Sequence, residues 1–358
     1  MTRAYSTDRA ARFRQDFVGL GRRLASCRGD ALLSLVSAVT SAYVGAMTRA
    51  LVYDRYGSLD VLEVRDLPLP APRGDQLRVR VRAAALNPKD SLVRKGRFAV
   101  LSGRKFPKHV GVDFAGEVVE AGPSATLAVG QRVYGVLEEV RYLRGTLADE
   151  VVVDGRECGP MPASLSFEEA AALPLVSLTV LQAFRDLAQV RAGDRVAISG
   201  ASGGVGTIAI QIAKVLGAHV TTTSSAKNRE LCTSLGADEA LDYATDDLLS
   251  RRFRVIFDVF GNLSFSRVEH ALSPFGVFVS TVPSARILFD AARTLRASKR
   301  AKLVVIRSRR EDLETIAGMV DRGALKPVID RVEPFERARE AIAHLETKRA
   351  RGKIVVRM

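Results

Sequence analysis

Four glycines fall within seven residues at Gly200–Gly206 (GASGGVG), directly after the short apolar run Arg195–Ser199 (RVAIS) and before a long apolar run that ends at Gly217. This order predicts a strand that turns at once into a helix, followed by a second strand at His219–Thr223. A plain strand–helix turn needs one glycine. Four glycines fit a loop that must turn sharply without Cβ atoms, let its backbone approach a ligand and seat a helix close to a sheet. The N-terminus of such a helix offers free N–H groups and partial positive charge, which suit a pyrophosphate. Gly200, Ser202, Gly203, Gly204, Val205 and Gly206 are the candidate cradle, and a dinucleotide is the implied ligand.

Which dinucleotide is a matter of one charge. An acid about 20 residues beyond the loop would bind the adenosine ribose hydroxyls of NAD. No acid occurs between Gly217 and Arg229, where the chain reads Thr-Ser-Ser-Ala-Lys-Asn-Arg over 223–229. Hydroxyls and a cation suit a 2′-phosphate, so NADPH is the expected cofactor, with Ser224, Ser225 and Lys227 around that phosphate. The other reading makes Lys227 and Arg229 surface charges at a helix start, where cations oppose the helix dipole.

Strands and helices continue to alternate after Asp194, with further apolar strands at Arg254–Val259 and Val277–Thr281, as a parallel sheet covered by helices requires. Before about Ala170 the signals are short strands and turns instead. Leu77–Leu86 alternates with period two, and Ser166–Phe184 then reads as one helix. After Asp312 come a helix, an extended stretch Ala324–Val332, a helix from Glu336 and a last strand Lys353–Met358. A chain of 358 residues accommodates about two such domains. Three scattered cysteines, Cys27, Cys158 and Cys232, make no disulfide framework and fit a reducing compartment.

The net charge of +14 favours anionic ligands. Nine basic residues stand against Asp290 between Arg286 and Arg310. A nucleic-acid patch is one reading; a solvated face fits better, because no aromatics interleave for stacking. Residues 1–46 differ from the rest: arginines precede a small-residue apolar run, 31–46, that is shorter than the ~20 residues a membrane span needs. A mis-called start, since Met47-Thr-Arg-Ala repeats Met1-Thr-Arg-Ala, and a targeting or membrane-associating extension both remain open.

Several segments together resemble the medium-chain dehydrogenase/reductase superfamily, in its zinc-independent quinone oxidoreductase-like branch, over roughly residues 48–358. They are Ala85–Asp90 (ALNPKD), Gly111–Val118 (GVDFAGEV), Leu173–Phe184, Gly200–Gly206, Ser234–Tyr243 (SLGADEALDY), and Leu325–Asp330 (LKPVID) with Ala350–Val356 (ARGKIVV). The resemblance implies an α/β fold: a GroES-like β-rich catalytic domain from 47–172 and 312–358, and a Rossmann doubly wound parallel-sheet domain over 173–311. It also implies a cofactor cleft and a homodimer. By position it places Asn87 beside the nicotinamide and substrate, Thr179, Gly261 and Thr281 along the nicotinamide half, Tyr243 with Lys227 at the 2′-phosphate, and Lys353 near the cofactor.

Where zinc-dependent relatives carry Gly-His-Glu, this chain reads Gly111-Val112-Asp113, and His109, His219, His270 and His344 lack cysteine partners at ligand spacing. No metal is therefore expected. Leu92 stands where several quinone reductases have a tyrosine; Lys89 is an alternative proton donor, or a surface lysine. Without a Lewis acid the suitable acceptors are electron-poor: a quinone, an enone or another carbonyl-activated alkene, or an aldehyde. Asn87, a backbone N–H and Lys89 are the candidates to hold the developing negative charge. A zinc-free alcohol dehydrogenase or carbonyl reductase and a low-turnover nucleic-acid-binding scaffold are the alternatives. The expected location is cytoplasmic, or an organelle or membrane surface if the extension directs it there.

Overall fold

The computed structural model describes residues 46–358, so the readings of the extension, except at Ala46, fall outside the described residues. Among the described residues, Ala46, Met47 and residues 68–70 belong to one unit, and residues 48–67 with 71–358 to another. In the first, the Leu69 N–H donates to the Ala46 carbonyl. Every candidate site residue lies in the second.

The second half of that unit is built on a six-stranded, all-parallel sheet. Its strands run in the order Glu239–Asp242, His219–Ser224, Arg195–Ser199, Phe253–Asp258, Leu272–Ser280, Arg300–Leu303. Val196, Ala197 and Ile198 in the first strand along the chain are fully buried, as a strand covered on both faces requires. The order reverses between Arg195–Ser199 and Phe253–Asp258. In a doubly wound sheet the ligand crevice lies at that switch, outside the carboxyl ends of the strands. The glycine loop leaves one of these two strands and residues 259–262 leave the other, with Ser199 level with Asp258.

The β-rich part centres on Leu77–Ala85. Leu77, Val79 and Val81 are buried while Arg80 and Arg82 are exposed, as period two predicts. This strand pairs antiparallel with Asp113–Ala121, Lys353–Arg357 and Glu150–Val153. Ala85 is level with both Asp113 and Val355. Segments distant in sequence thus end side by side, and this brings positions 87, 113 and 353 together. One apolar cluster runs from Val79 and Phe114 in this sheet to Val196 in the parallel one and Ile208 in the helix after the glycine loop.

Several elements differ from expectation. The helix read over Ser166–Phe184 is two, Phe167–Ala171 and Pro174–Gln182, followed by a wider turn over 183–188. Pro174 lacks an N–H and takes the first-turn position of a new helix. The extended reading over Ala324–Val332 shifts to a strand at Ile329–Pro334. The basic stretch is not a uniform face: it holds a helix, Ala285–Arg293, and the edge strand Arg300–Leu303, whose charges masked the strand signal. Several of its cations are engaged internally. Arg293 pairs with Asp290, Lys299 donates to the Glu269 carbonyl and Lys302 to the Leu187 carbonyl.

Candidate active site

The glycine loop takes the expected form. Gly200 has φ +82°, a conformation that favours glycine. Gly203 caps the helix Gly204–Val215 without any side-chain hydrogen bond, so the first-turn N–H groups of Gly204, Val205 and Gly206 have no helical partners. A Cβ at Gly206 would stand 2.4 Å from the Gly200 carbonyl oxygen and 2.6 Å from Ala201 backbone atoms, which fixes how closely the helix seats. A Cβ at Gly203 would meet nothing nearer than 3.8 Å, leaving the open side of the loop free for a ligand. These are the features of a phosphate cradle, and the residues present fit a dinucleotide.

The adenosine-end candidates also come together. Ser224 and Asp242 are level in neighbouring strands, and the Tyr243 N–H donates to the Ser224 carbonyl at 3.1 Å. Ser224 is buried and Ser225 half-buried; Lys227 and Tyr243 are exposed. Arg229 is committed elsewhere, at 2.7 Å from Asp246. Asn228, which the sequence reading passed over, joins this end to the glycine loop: its Nδ2 donates to Ser202 Oγ at 2.9 Å, and its Oδ1 is buried without a partner.

On the other side of the switch, the Gly261 N–H donates to Asp258 Oδ1 at 3.0 Å, and Thr281 Oγ1 donates to the Val259 carbonyl. Both residues sit at carboxyl ends of adjacent parallel strands. Thr179 is buried in Pro174–Gln182, its hydroxyl proton given to the Leu175 carbonyl at 2.7 Å.

Lys353, expected near the cofactor, is engaged by the protein itself. Its ammonium is buried and donates to the Leu86 carbonyl at 3.0 Å, to Asn87 Oδ1 at 2.7 Å and to Asp113 Oδ2 at 2.9 Å. All three protons are thus spent within the protein. Its stem packs on the glycine loop, with Cδ 2.8 Å from where a Gly204 Cβ would be, and the Gly352 N–H donates to the Ser202 carbonyl. Asn87 is similarly committed: Nδ2 donates to Asp113 Oδ2 at 2.9 Å and more weakly to the Ala85 carbonyl at 3.4 Å. Asn87, expected beside the nicotinamide and substrate, is thus tied through its side chain to Asp113 and Lys353.

Asp113 is the hub that the sequence reading missed. Fully buried, it accepts from Asn87, from Lys353 and, through Oδ1, from the Leu175 N–H at 2.8 Å, in the first turn of Pro174–Gln182. A carboxylate there also suits the helix dipole. A lone acid inside the apolar run Val112–Ala115 was the available signal, since a buried charge demands partners.

Lys89 follows Asn87 by two residues, in the helix Pro88–Arg94. It is half-buried, and among the described residues its ammonium makes no hydrogen bond or ion pair; it stands over the Tyr142 ring, 5.7 Å from the centroid. Burial holds its basicity below the ordinary lysine value, against the opposing pull of Asp90, Asp113 and Glu139. Next to it Asp90 is buried, accepting from the Asn87 N–H at 2.8 Å and the Tyr142 hydroxyl at 2.9 Å; burial raises its pKa to about 6.

Comparison with known proteins agrees with this architecture. A family model described as alcohol dehydrogenase GroES-like domain matches residues 73–163, and one described as zinc-binding dehydrogenase matches 235–356. The chain is 33% identical over 327 residues to the chloroplast envelope quinone oxidoreductase homolog of Arabidopsis thaliana, covering 87% of this chain and 99% of that one. It is 34% identical over 329 residues to the 2-methylene-furan-3-one reductase of Solanum lycopersicum, covering 88% and 81%. Among solved structures, the quinone oxidoreductase from Coxiella burnetii matches with a TM-score of 0.80 at 30% identity, over 87% of this chain and 100% of that one.

The metal in the second family model's description does not fit the described residues. The described residues bring together no group of three His, Cys, Asp or Glu side chains able to hold an ion. Val112 stands where a histidine would be needed, and both Asp113 oxygens are taken by N–H donors. The fold, the two family models and relatives aligned over most of their length place the chain in the medium-chain dehydrogenase/reductase superfamily, among its quinone oxidoreductase-like members, and it is an oxidoreductase.

Proposed function

We propose that this oxidoreductase uses a nicotinamide cofactor, NADPH, to reduce a quinone or a carbonyl-activated alkene without zinc. The observation that carries the reading is the span of Lys353: its stem lies on the glycine loop and its ammonium on Asn87, so phosphate cradle and reacting end are one side chain apart. Residues 200 and 202–206 hold the pyrophosphate, and Ser224, Ser225, Lys227 and Tyr243 the 2′-phosphate. Thr179, Gly261 and Thr281 line the nicotinamide half, and Lys353 supports the seat from behind. When bound, NADPH supplies hydride to the electron-poor carbon of the acceptor.

The negative charge that then develops on the acceptor oxygen needs a donor. Asn87 and Lys353 are spent on protein acceptors, which leaves Lys89, unpaired among the described residues, as a cation beside them. Its lowered basicity brings it closer to the range where proton donation is efficient. One hydride and one proton add to the acceptor, and the neutral amine is recharged from water. The names of the Arabidopsis and Solanum relatives support a quinone and an enone as acceptor classes.

The test is NADPH oxidation by the full chain with a panel of quinones, enones and plain ketones. Turnover of the first two classes and not the third is expected. Turnover of plain ketones alone would replace the reading by a zinc-free carbonyl reductase. No turnover, with nucleic-acid binding that falls steeply with salt, would favour the scaffold.

The proposal extends to organisation: domains over 47–172 with 312–358 and over 173–311, and a homodimer. The edge strand Arg300–Leu303, hydrogen-bonded on one side only, and the exposed Leu288 and Phe289 support the dimer. Light scattering decides it. Among the described residues no helix is long and apolar enough to cross a membrane. A cytoplasmic location is proposed against an organelle directed by residues 1–46, and a fluorescent fusion of the full chain separates the two.

A further inference from the structure

Tyr142 is a buried aromatic residue with φ +57°, a left-handed conformation that bulky side chains adopt rarely and at a cost. Three contacts hold it there. The His109 N–H donates to the Tyr142 carbonyl at 2.7 Å, the buried Lys108 ammonium donates to the preceding Arg141 carbonyl at 2.7 Å, and the Tyr142 hydroxyl donates to Asp90 Oδ1 at 2.9 Å. The result of this arrangement is specific. The ring face lies under Lys89 Nζ, while the hydroxyl engages the carboxylate next to Lys89 in the same helix. Strained backbone held by so many partners is a mark of functional positions.

We propose that Tyr142 is a positioning residue for Lys89: its ring is the platform under the ammonium, and its hydroxyl keeps Asp90 ionised beside it. The inference rests on the reading of Lys89 as proton donor only for its catalytic consequence; the platform itself is a statement about this chain's own residues. The charged groups that face Lys89 are Asp90, Asp113 and Glu139, which favour its cationic form, and Lys353, which opposes it. Of these carboxylates, Asp90 is the one the Tyr142 hydroxyl contacts. A carboxylate that loses its hydroxyl donor in a buried place is protonated more readily. Lys89 then loses a negative neighbour and gives up its proton at lower pH.

The experiment uses the full-length protein. Competitive acylation with acetic anhydride across a pH series, read by mass spectrometry of the Lys89 peptide, gives the titration of that amine whether or not an acceptor is known. In Tyr142→Phe, which keeps the ring, the midpoint should fall by less than in Asp90→Asn, which leaves the Tyr142 loop untouched and where it should fall by about one to three pH units. Tyr142→Leu, which also removes the ring face, should fall further than Tyr142→Phe. An unmoved midpoint in both Tyr142→Phe and Asp90→Asn overturns the inference. The kcat–pH profile with but-3-en-2-one separates the two layers. A shifted Lys89 midpoint with kcat unaffected in Lys89→Met leaves the platform standing and removes Lys89 as donor. A large kcat loss in Lys89→Met with an unmoved midpoint in both Tyr142→Phe and Asp90→Asn does the reverse.

Discussion

At the proposed phosphate end of the site the groups free for a ligand are backbone: the N–H groups of 204–206 at a helix start, with small residues that allow close approach. At the reacting end they are side chains: Asn87, Asp113, Lys353, Lys89 and Asp90, most of them buried and hydrogen-bonded to one another. The first end depends on space, because a glycine contributes only by what it lacks. The second depends on charge, because each buried ion is tolerable only through its partners. The two should therefore fail in different ways, one by losing its ligand and the other by losing stability.

The sharpest break is at the loop. Gly206→Ala puts a carbon where the Gly200 carbonyl oxygen would be 2.4 Å away, and the obstacle is backbone with nothing flexible to give. Binding of either nicotinamide dinucleotide should become undetectable by fluorescence titration, while the β-rich part keeps its circular-dichroism signal. Retained affinity would show that the helix seat has more freedom than the close packing indicates.

The corresponding break at the reacting end is Asp113→Ala. It leaves the Lys353 ammonium, whose side chain is 5% exposed, without its carboxylate and frees the Leu175 N–H. Removing one partner of a buried pair typically costs about 3–5 kcal/mol, to be read as a fall in the urea midpoint. The double variant Asp113→Ala/Lys353→Met should recover part of this loss, since it removes the orphaned charge as well. Equal stability of the single and double variants would mean that the pair is hydrated and the charge argument fails.

This contrast also explains what could be read from the chain. The glycine loop, its strand and its helix were legible because their chemistry is local: spacing, missing Cβ atoms and a helix start occupy one stretch of sequence. Asp113 and Tyr142 were not legible, because their partners lie far off. Asp113 meets Asn87 only when Leu77–Ala85 pairs with Asp113–Ala121, and Lys353 only once the last strand joins them, while Tyr142 meets Asp90 across a loop. Lys353 was expected near the cofactor, and its commitment to three internal acceptors depends on that same pairing. Arg300–Leu303 was hidden for a different reason: an edge strand tolerates charges that a buried strand would reject.

The smallest expected effect lies at the far end of the proposed phosphate side, where the proposal gives an exposed side chain, unlike the loop itself, the selectivity. Lys227 is exposed and carries no ion pair among the described residues. The nearby acids are turned to their own turn: Asp242 accepts from the Ala244 N–H, and Asp246 accepts from Arg229 and the Asp242 N–H. Arg229 is thereby taken out of play, and Lys227 is the cation left for a 2′-phosphate. A charge-assisted contact of this kind contributes about 1.5–3 kcal/mol, which corresponds to a preference for NADPH over NADH of roughly ten- to a hundredfold. Exposure and screening place the expectation at the lower end, and added salt should reduce it further. Lys227→Ala should lower NADPH affinity by about tenfold while changing NADH affinity little, because a ribose hydroxyl gains nothing from the ammonium. Fluorescence titration of both cofactors into both proteins reads the difference directly. Equal losses for the two cofactors would assign Lys227 to the shape of the loop and would leave the choice of dinucleotide to Ser224, Ser225 and Tyr243.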